Sequence, residues 1–405
     1  MATPVEELDL ATLTTRFGGD PEADVAGLAG ASRHGWLAKF AFGYVVLAYD
    51  DVANLLRERH LHQASQLVAQ LFAGEGTALD DLDRNGLLSA EGERHARLRR
   101  LVAAPFAPRA IDRLRPFMRE FAAEIAESVG DGSKEFVVDA PVALSRYPIA
   151  VICQHLNVER ADWDLFSRWA ETTFLIFSSE VRGNEDRIVR ESREFSRFIT
   201  ALIDERRNDL GDDLISSLIV AEQEGDRLST PEMVSLIQGI IAAGTDTTRN
   251  QLATSLALLS GRPDLWASLD DEELVAGVVE ESLRYLNPIR FVIRQVHEPF
   301  EYRDVAFRPG TLLAFSLAGA NRDEGRFHDA ERFDPRRSGA RDHLTFSSGI
   351  HHCLGAALAR AELAEALIAL RARWVCIEPA GEVRWKDSAL AVWGAESVPL
   401  RVTTT

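Results

Sequence analysis

Lysine is almost missing from this chain of 405 residues: Lys39, Lys134 and Lys386 are the only ones, and arginine supplies the rest of its 45 basic side chains. Arginine's planar fork suits fixed recognition of carboxylates, although a GC-rich coding sequence produces the same bias. Acidic residues number 63, leaving a formal net charge of −18. That balance disfavours nucleic acid as a partner, because affinity for phosphates rests on an excess of cations. Cysteine is scarce too. Cys153, Cys353 and Cys376 lie far apart without paired spacing, which argues against a disulfide framework and for a reducing, cytoplasmic setting. No apolar run approaches the roughly 18 residues that a membrane span needs. The N-terminal stretch lacks the basic-then-apolar pattern of a secretory signal. Ser/Gly-rich, Pro-rich and repeated segments are missing as well. One domain over residues 1–405 is therefore expected, although length alone allows two or three.

What is present is an ordinary globular composition, 46% hydrophobic and 27% charged. Apolar residues recur at i, i+3 and i+4 in residues 93–106, 113–129, 193–210, 231–261 and 271–286, which predicts amphipathic helices. Pro231 suits the start of one of them and Gly261 its end. Strand-like stretches are short: 42–49, three segments between 290 and 319, and a closing pair at 389–393 and 397–402. Strands and helices do not alternate, so a doubly wound sheet is not expected. The pattern predicts a mainly α fold with small β-sheets.

The stretch FSSGIHHCLGAALAR, residues 346–360, sets Cys353 among histidines and glycines. Zinc needs four ligands at characteristic spacings, and none complete a tetrahedron around Cys353. A nucleophile needs an oriented base; His351 is near, but the flanks offer no oxyanion site. Packing is the ordinary fate of a lone cysteine and is the reading for Cys153 and Cys376. Cys353 differs because Gly349 and Gly355 permit tight turns and a long helical pattern follows it. A thiolate before a helix N-terminus is stabilised by exposed N–H groups and the dipole. A single sulfur ligand of that kind points to haem iron rather than zinc.

FSSGIHHCLG resembles the cysteine-loop signature of the cytochrome P-450 superfamily, Phe-x-x-Gly-x-His-x-Cys-x-Gly, at Phe346, Gly349, His351, Cys353 and Gly355. Ser347 stands where that family often has glycine. AGTDTT, residues 243–248, is open to two readings: a helix start capped by Thr245 or Asp246, or a local opening of a long helix where Asp246 and Thr247 pass protons. The second resembles the family's oxygen-activation motif, at Ala243, Gly244, Asp246 and Thr247. Glu281 and Arg284 share a helix face and by themselves read as a surface pair. The resemblance implies a buried pair completed by a later arginine, here Arg332. His95 and Arg99 lie at i, i+4, where the plain reading is a solvated basic helix. By resemblance they bind haem propionates together with Arg294 and His351.

The resemblance covers about residues 85 to 400 and implies the cytochrome P-450 fold, a helix-rich lobe plus a small β-rich one, and a soluble bacterial haem-thiolate monooxygenase. Haem b (iron protoporphyrin IX) is the implied cofactor and Cys353 its axial iron ligand. Asp246 and Thr247 are the implied proton-delivery pair. The pocket would be lined by Gly239, Ala242, Ala243, Ile289, Val292, Ala391 and Val392, which suits a hydrophobic substrate. Arg290 would either meet a substrate carboxylate or point away. No Gly-x-Gly-x-x-Gly fingerprint is present, so electrons are expected from a separate ferredoxin and ferredoxin reductase. Arg97, Arg100 and Arg360 are the candidates for a local basic patch against an acidic carrier. The alternatives on the same scaffold are peroxide-driven oxidation, decarboxylation or oxidative coupling. A different class, a non-catalytic haem-binding or gas-sensing protein, is disfavoured by the adjacent acid and hydroxyl of Asp246 and Thr247.

Overall fold

Helices with small sheets make up the chain, as the hydrophobic periods predict. A computed structural model describes residues 2–13, 20–40, 43–64, 86–130, 132–175, 181, 183–223, 228–386 and 392–404. They fall into two compact units. The first comprises Met1–Ser65, Gly277–Cys353 and Trp385–Gly394; the second comprises Gln66–Ala276, Leu354–Arg384 and Ala395–Thr405.

The first unit holds a five-stranded sheet in the order Leu37–Phe40, Gly43–Val46, Leu312–Ser316, Phe291–Val296, Leu61–Gln63. Gly43–Val46 runs parallel to Leu312–Ser316, and every other pairing is antiparallel. Gly43 is required where those two strands meet, since a Cβ there would lie 2.3 Å from the Leu312 carbonyl oxygen. One face of the sheet buries Leu37, Val46, Leu61, Val296, Leu313 and Phe315 in a common apolar cluster. Residues 300–307, which read as one strand-like stretch, form two short antiparallel strands, Phe300–Tyr302 and Val305–Phe307. Arg303 and Asp304 turn the chain between them at φ 48° and 60°. Gly277, on the Glu272–Tyr285 helix, faces the chain at Pro335: a Cβ would stand 2.1 Å from the Pro335 carbonyl oxygen.

The second unit is built around the helix Thr230–Ser260. Its start is a capping box, with Ser229 bonded to the Glu232 amide and the Glu232 carboxylate to the Ser229 amide. Gly261 ends it, as the sequence predicts. The helices Tyr147–His155, Trp163–Phe174, Glu185–Arg206 and Ala356–Arg373 pack against it. At Gly244 the approach is close, because a Cβ would meet Ile152 Cδ1 at 2.9 Å. Ala356–Arg373 also lies along Arg115–Ser128. There the buried Glu365 carboxylate accepts from Arg115 Nη1 at 3.0 Å and Arg119 Nε at 2.6 Å. A three-stranded antiparallel sheet, Trp374–Pro379, Pro399–Thr404 and Glu135–Asp139, completes the unit.

Candidate active site

The loop that carries Cys353 is fixed within the first unit by its own backbone. The Cys353 amide donates to the Phe346 carbonyl at 2.8 Å and the Ser347 amide to Leu344 at 2.7 Å. A short 3-10 turn, Gly349–His351, lies between. Two positions take left-handed conformations, Ser347 at φ 61° and Gly349 at φ 73°. At Gly349 a Cβ would come within 2.7 Å of the Leu56 carbonyl oxygen, so only glycine fits without displacing the Tyr49–Leu55 helix end. Arg57, just beyond that helix, donates from Nε to Ser348 Oγ at 2.8 Å. The family's preference for glycine at position 347 thus has a physical cause: Ser347 holds a conformation that L residues rarely adopt.

The three cysteines differ in what they offer a metal. Cys353 is exposed, Cys376 half-buried and Cys153 fully buried, none of them in a disulfide. Burial pushes the Cys153 thiol far above its ordinary value; burial and then Glu378 push Cys376 up. Among the described residues, no three His, Cys, Asp or Glu side chains gather as a metal cage. An exposed sulfur on a pinned loop is the donor set that fits haem, which asks one thiolate of the protein.

Arg294 is buried on the Phe291–Val296 strand, and its Nη1 donates to Gln63 Oε1 at 2.6 Å across the sheet. In the second unit, His95 is buried and Arg99 half-buried on the helix Gly92–Ala103, one turn apart. On the same helix Arg97 is ion-paired to the capping-box carboxylate Glu232, and Arg94 is 4.0 Å from it. Burial pushes that carboxyl up, but the hydrogen bonds from Ser229 and Arg97 outweigh it and hold Glu232 below its usual value.

The AGTDTT segment neither starts nor opens a helix. Thr230–Ser260 is helical throughout, its cap is Ser229, and the threonines stay inside the ladder by bonding back one turn. Thr245 Oγ1 donates to the Ile241 carbonyl and Thr247 Oγ1 to the Ala243 carbonyl, both at 2.7 Å. Back-bonding of this kind lets a hydroxyl sit mid-helix without a break. Asp246 is ion-paired to Arg249 on its own helix, and Arg249 Nη1 lies 3.8 Å from Glu171. Of the pocket candidates on this helix, Gly239 and Ala243 are exposed and Ala242 is buried.

In the first unit, Ile289 and Val292 are half-buried against the apolar cluster. The Trp393 amide donates to the Pro288 carbonyl at 2.8 Å, which brings Val392 to the same stretch. Ala391 lies outside the described residues. Arg290 is turned to Trp393 and Asp24. It is 1% exposed, its guanidinium lies 4.0 Å over the Trp393 ring, and Nη1 is 3.5 Å from Asp24. Burial, only partly opposed by Asp24, pulls it down to about 10.

The expected triad needs one correction. Glu281 and Arg284 are fully buried, with Arg284 Nε and Nη2 donating to the two carboxylate oxygens at 2.8 and 2.7 Å. Arg337, not Arg332, adds the second guanidinium, its Nε at 3.1 and 3.2 Å from the same oxygens. The Arg332 side chain is exposed, and the residue contributes its carbonyl, which accepts from Arg284 and Arg337. Arg332 precedes Phe333–Asp334–Pro335, and the turn there carries the later arginine back to Glu281.

The sequence profile described as Cytochrome P450 matches residues 44–373. Over 388 residues the chain is 34% identical to the Mycinamicin IV hydroxylase/epoxidase of Micromonospora griseorubida, covering 91% of this chain and 95% of that one. The 6-deoxyerythronolide B hydroxylase of Saccharopolyspora erythraea is 33% identical over 315 residues, 76% of each chain. Among solved structures, a cytochrome P450 from Chondromyces apiculatus superposes with a TM-score of 0.84 at 30% identity, over 95% of this chain and 96% of that one.

Proposed function

This chain belongs to the cytochrome P450 family and is a P450 monooxygenase; we propose that it holds haem b through Cys353 and inserts one oxygen atom of O2 into a hydrophobic organic substrate. Electrons would come from a separate ferredoxin and its reductase in the cytoplasm, and both units would serve one catalytic domain. The observation that carries this reading is the exposed Cys353 on a loop whose Gly349 leaves no room for a side chain.

Haem, when bound, supplies the oxidising chemistry; the chain supplies binding, orientation and protons. Arg294, His351, His95 and Arg99 would hold the two propionates, since charge-assisted bonds from several donors fix a carboxylate best. Ile289, Val292 and Val392 would present apolar surface to the substrate, and Gly239 leaves open space, with no atom within 4 Å of an added Cβ. Thr247 keeps its hydroxyl proton on the Ala243 carbonyl; rotation about one bond would turn it toward an acceptor in the pocket. Asp246, once Arg249 lets go of it, would take a proton from solvent and pass it to that hydroxyl. A non-catalytic haem protein has no use for such a pair. Of the Arg97, Arg100 and Arg360 patch, Arg100 is exposed and suits an acidic electron carrier, while Arg97 already serves Glu232.

The test is spectroscopic. Reduced protein under carbon monoxide should show the strongly red-shifted Soret band of thiolate ligation, and Cys353→Ala should lose it while Cys153→Ala and Cys376→Ala keep it. The opposite pattern would overturn the assignment.

A further inference from the structure

We infer that His343, held by Glu280, is a positioning residue that sets the path of the Leu344–Cys353 loop and thereby the presentation of the Cys353 sulfur. The inference rests on the reading of Cys353 as the iron ligand. It concerns a second polar network beside the Glu281–Arg284–Arg337 cluster, one that no motif in the sequence announces.

His343 has no exposed side-chain surface and Glu280 is 6% exposed. His343 Nε2 lies 3.1 Å from Glu280 Oε2, and Arg341 Nε approaches the other carboxylate oxygen at 3.4 Å. On the other side of the ring, Nδ1 accepts from the Thr345 amide at 3.3 Å. An amide can only donate, so Nδ1 must carry the lone pair and Nε2 the proton that points at Glu280. The imidazole is therefore a directional bridge from a helix carboxylate to a loop amide.

That bridge is one of several ties on three consecutive residues. The Leu344 amide donates to Asn321 Oδ1 at 2.6 Å, and Thr345 Oγ1 donates to the Leu283 carbonyl at 2.7 Å while accepting from Asn321 Nδ2 at 2.9 Å. The His343 ring also lies 5.6 Å from the Phe346 ring. Phe346 in turn accepts the Cys353 amide. Immediately after these ties comes Ser347, in its left-handed conformation. Strained backbone persists where its surroundings over-determine it, and Glu280–His343–Thr345 is the part of those surroundings that reaches from the helix to the loop. A plain packing histidine would need neither the directed proton nor the buried carboxylate.

Hydrogen exchange of the haem-loaded full chain, read by mass spectrometry on the peptide spanning 344–353, tests this without reference to activity. His343→Phe keeps the ring but removes both hydrogen bonds and should speed exchange in that peptide by about tenfold, the scale of one lost buried hydrogen bond. Peptides from Thr230–Ser260 should be unchanged. His343→Asn, whose carbonyl oxygen can take the place of Nδ1, should restore slow exchange; His343→Gln should not. Equal exchange in the Asn and Gln variants, or a rise spread evenly over the chain, would overturn the inference, and this pair decides the matter if the Phe variant does not fold. A red-shifted carbonyl band that survives Cys353→Ala would instead sink the ligand assignment, whatever the exchange shows.

Discussion

Arg337 closes over Glu281 with one Nε shared between both carboxylate oxygens, at 3.1 and 3.2 Å, on a helix where Arg284 already occupies the same oxygens. Two guanidinium groups on one fully buried carboxylate are tolerable only because carbonyls of Asn321, His328, Asp329, Ala330 and Arg332 accept from their remaining N–H groups. Removing one member leaves a buried charge uncompensated. Arg337→Ala should therefore cost about 3–5 kcal/mol, as should Glu281→Ala, whereas Arg332→Ala should change stability by less than about 0.5 kcal/mol. Urea unfolding of the three variants separates these outcomes; equal losses at 332 and 337 would refute the assignment.

Ser347 offers the opposite case, a substitution expected to help. Its φ of 61° costs an L residue about 1–2 kcal/mol, and glycine removes that strain while adding less than about 1 kcal/mol of unfolded-state entropy. Ser347→Gly should raise the melting temperature by about 1 °C, and Ser347→Val should lower it by more. A lower melting temperature for the glycine variant would show that the loop's strain is not stored at this residue.

Two buried groups give stability opposite dependences on pH. Burial pulls His155 down to about 4, against an opposing pull from Asp213. As pH drops below about 6.5, the unfolded chain takes up a proton that the folded chain refuses, so stability falls by on the order of 3 kcal/mol by pH 4. Glu362 is the mirror image. It is 1% exposed, neither carboxylate oxygen has a partner among the described residues, and burial raises it well above its ordinary value of 4.5. Above that value the unfolded chain releases a proton that the folded chain retains, so stability falls as pH rises. In urea midpoints measured from pH 4 to 9, His155→Phe should flatten the fall below about pH 6.5, and Glu362→Leu should remove a fall that begins above about pH 4.5. Unchanged profiles would place the titrations elsewhere.

Proton delivery predicts a division of labour between neighbours. Thr247→Ala should retain haem and NADH consumption through a competent redox chain, while diverting electrons to hydrogen peroxide. Asp246→Asn should slow turnover itself by about 10²–10⁴-fold, with an altered solvent isotope effect. Wild-type rate and coupling in both variants would leave the pair as ordinary helix residues.

How much of this was legible beforehand depends on the range of the interaction. Short-range chemistry is legible: Pro231 and Gly261 bound the long helix because caps and proline act within one turn. The tight turn expected at Gly349 is there, at φ 73°, whereas Gly355 takes an ordinary negative φ. Interactions across distant segments are not legible. Phe333–Asp334–Pro335 is flanked by arginines on both sides, and only the fold decides that the later one, Arg337, reaches Glu281. The Thr245 and Thr247 hydroxyls looked like an interruption because propensity counts the residue and not its bond to the preceding turn. Whether Arg290 meets a substrate carboxylate or points away stays open in the sequence, because nothing there announces that Trp393 lies against it.

Gly277 has a bearing on how such a chain can change over time. With a Cβ at that position meeting the Pro335 carbonyl at 2.1 Å, the helix and the later segment touch backbone to backbone. No side chain lies between them to be resized in compensation. The stretch from 277 to 337, with Glu281, Arg284 and Arg337 inside it, must then pass between relatives as one inheritable block. Crossovers for chimeric enzymes belong outside it.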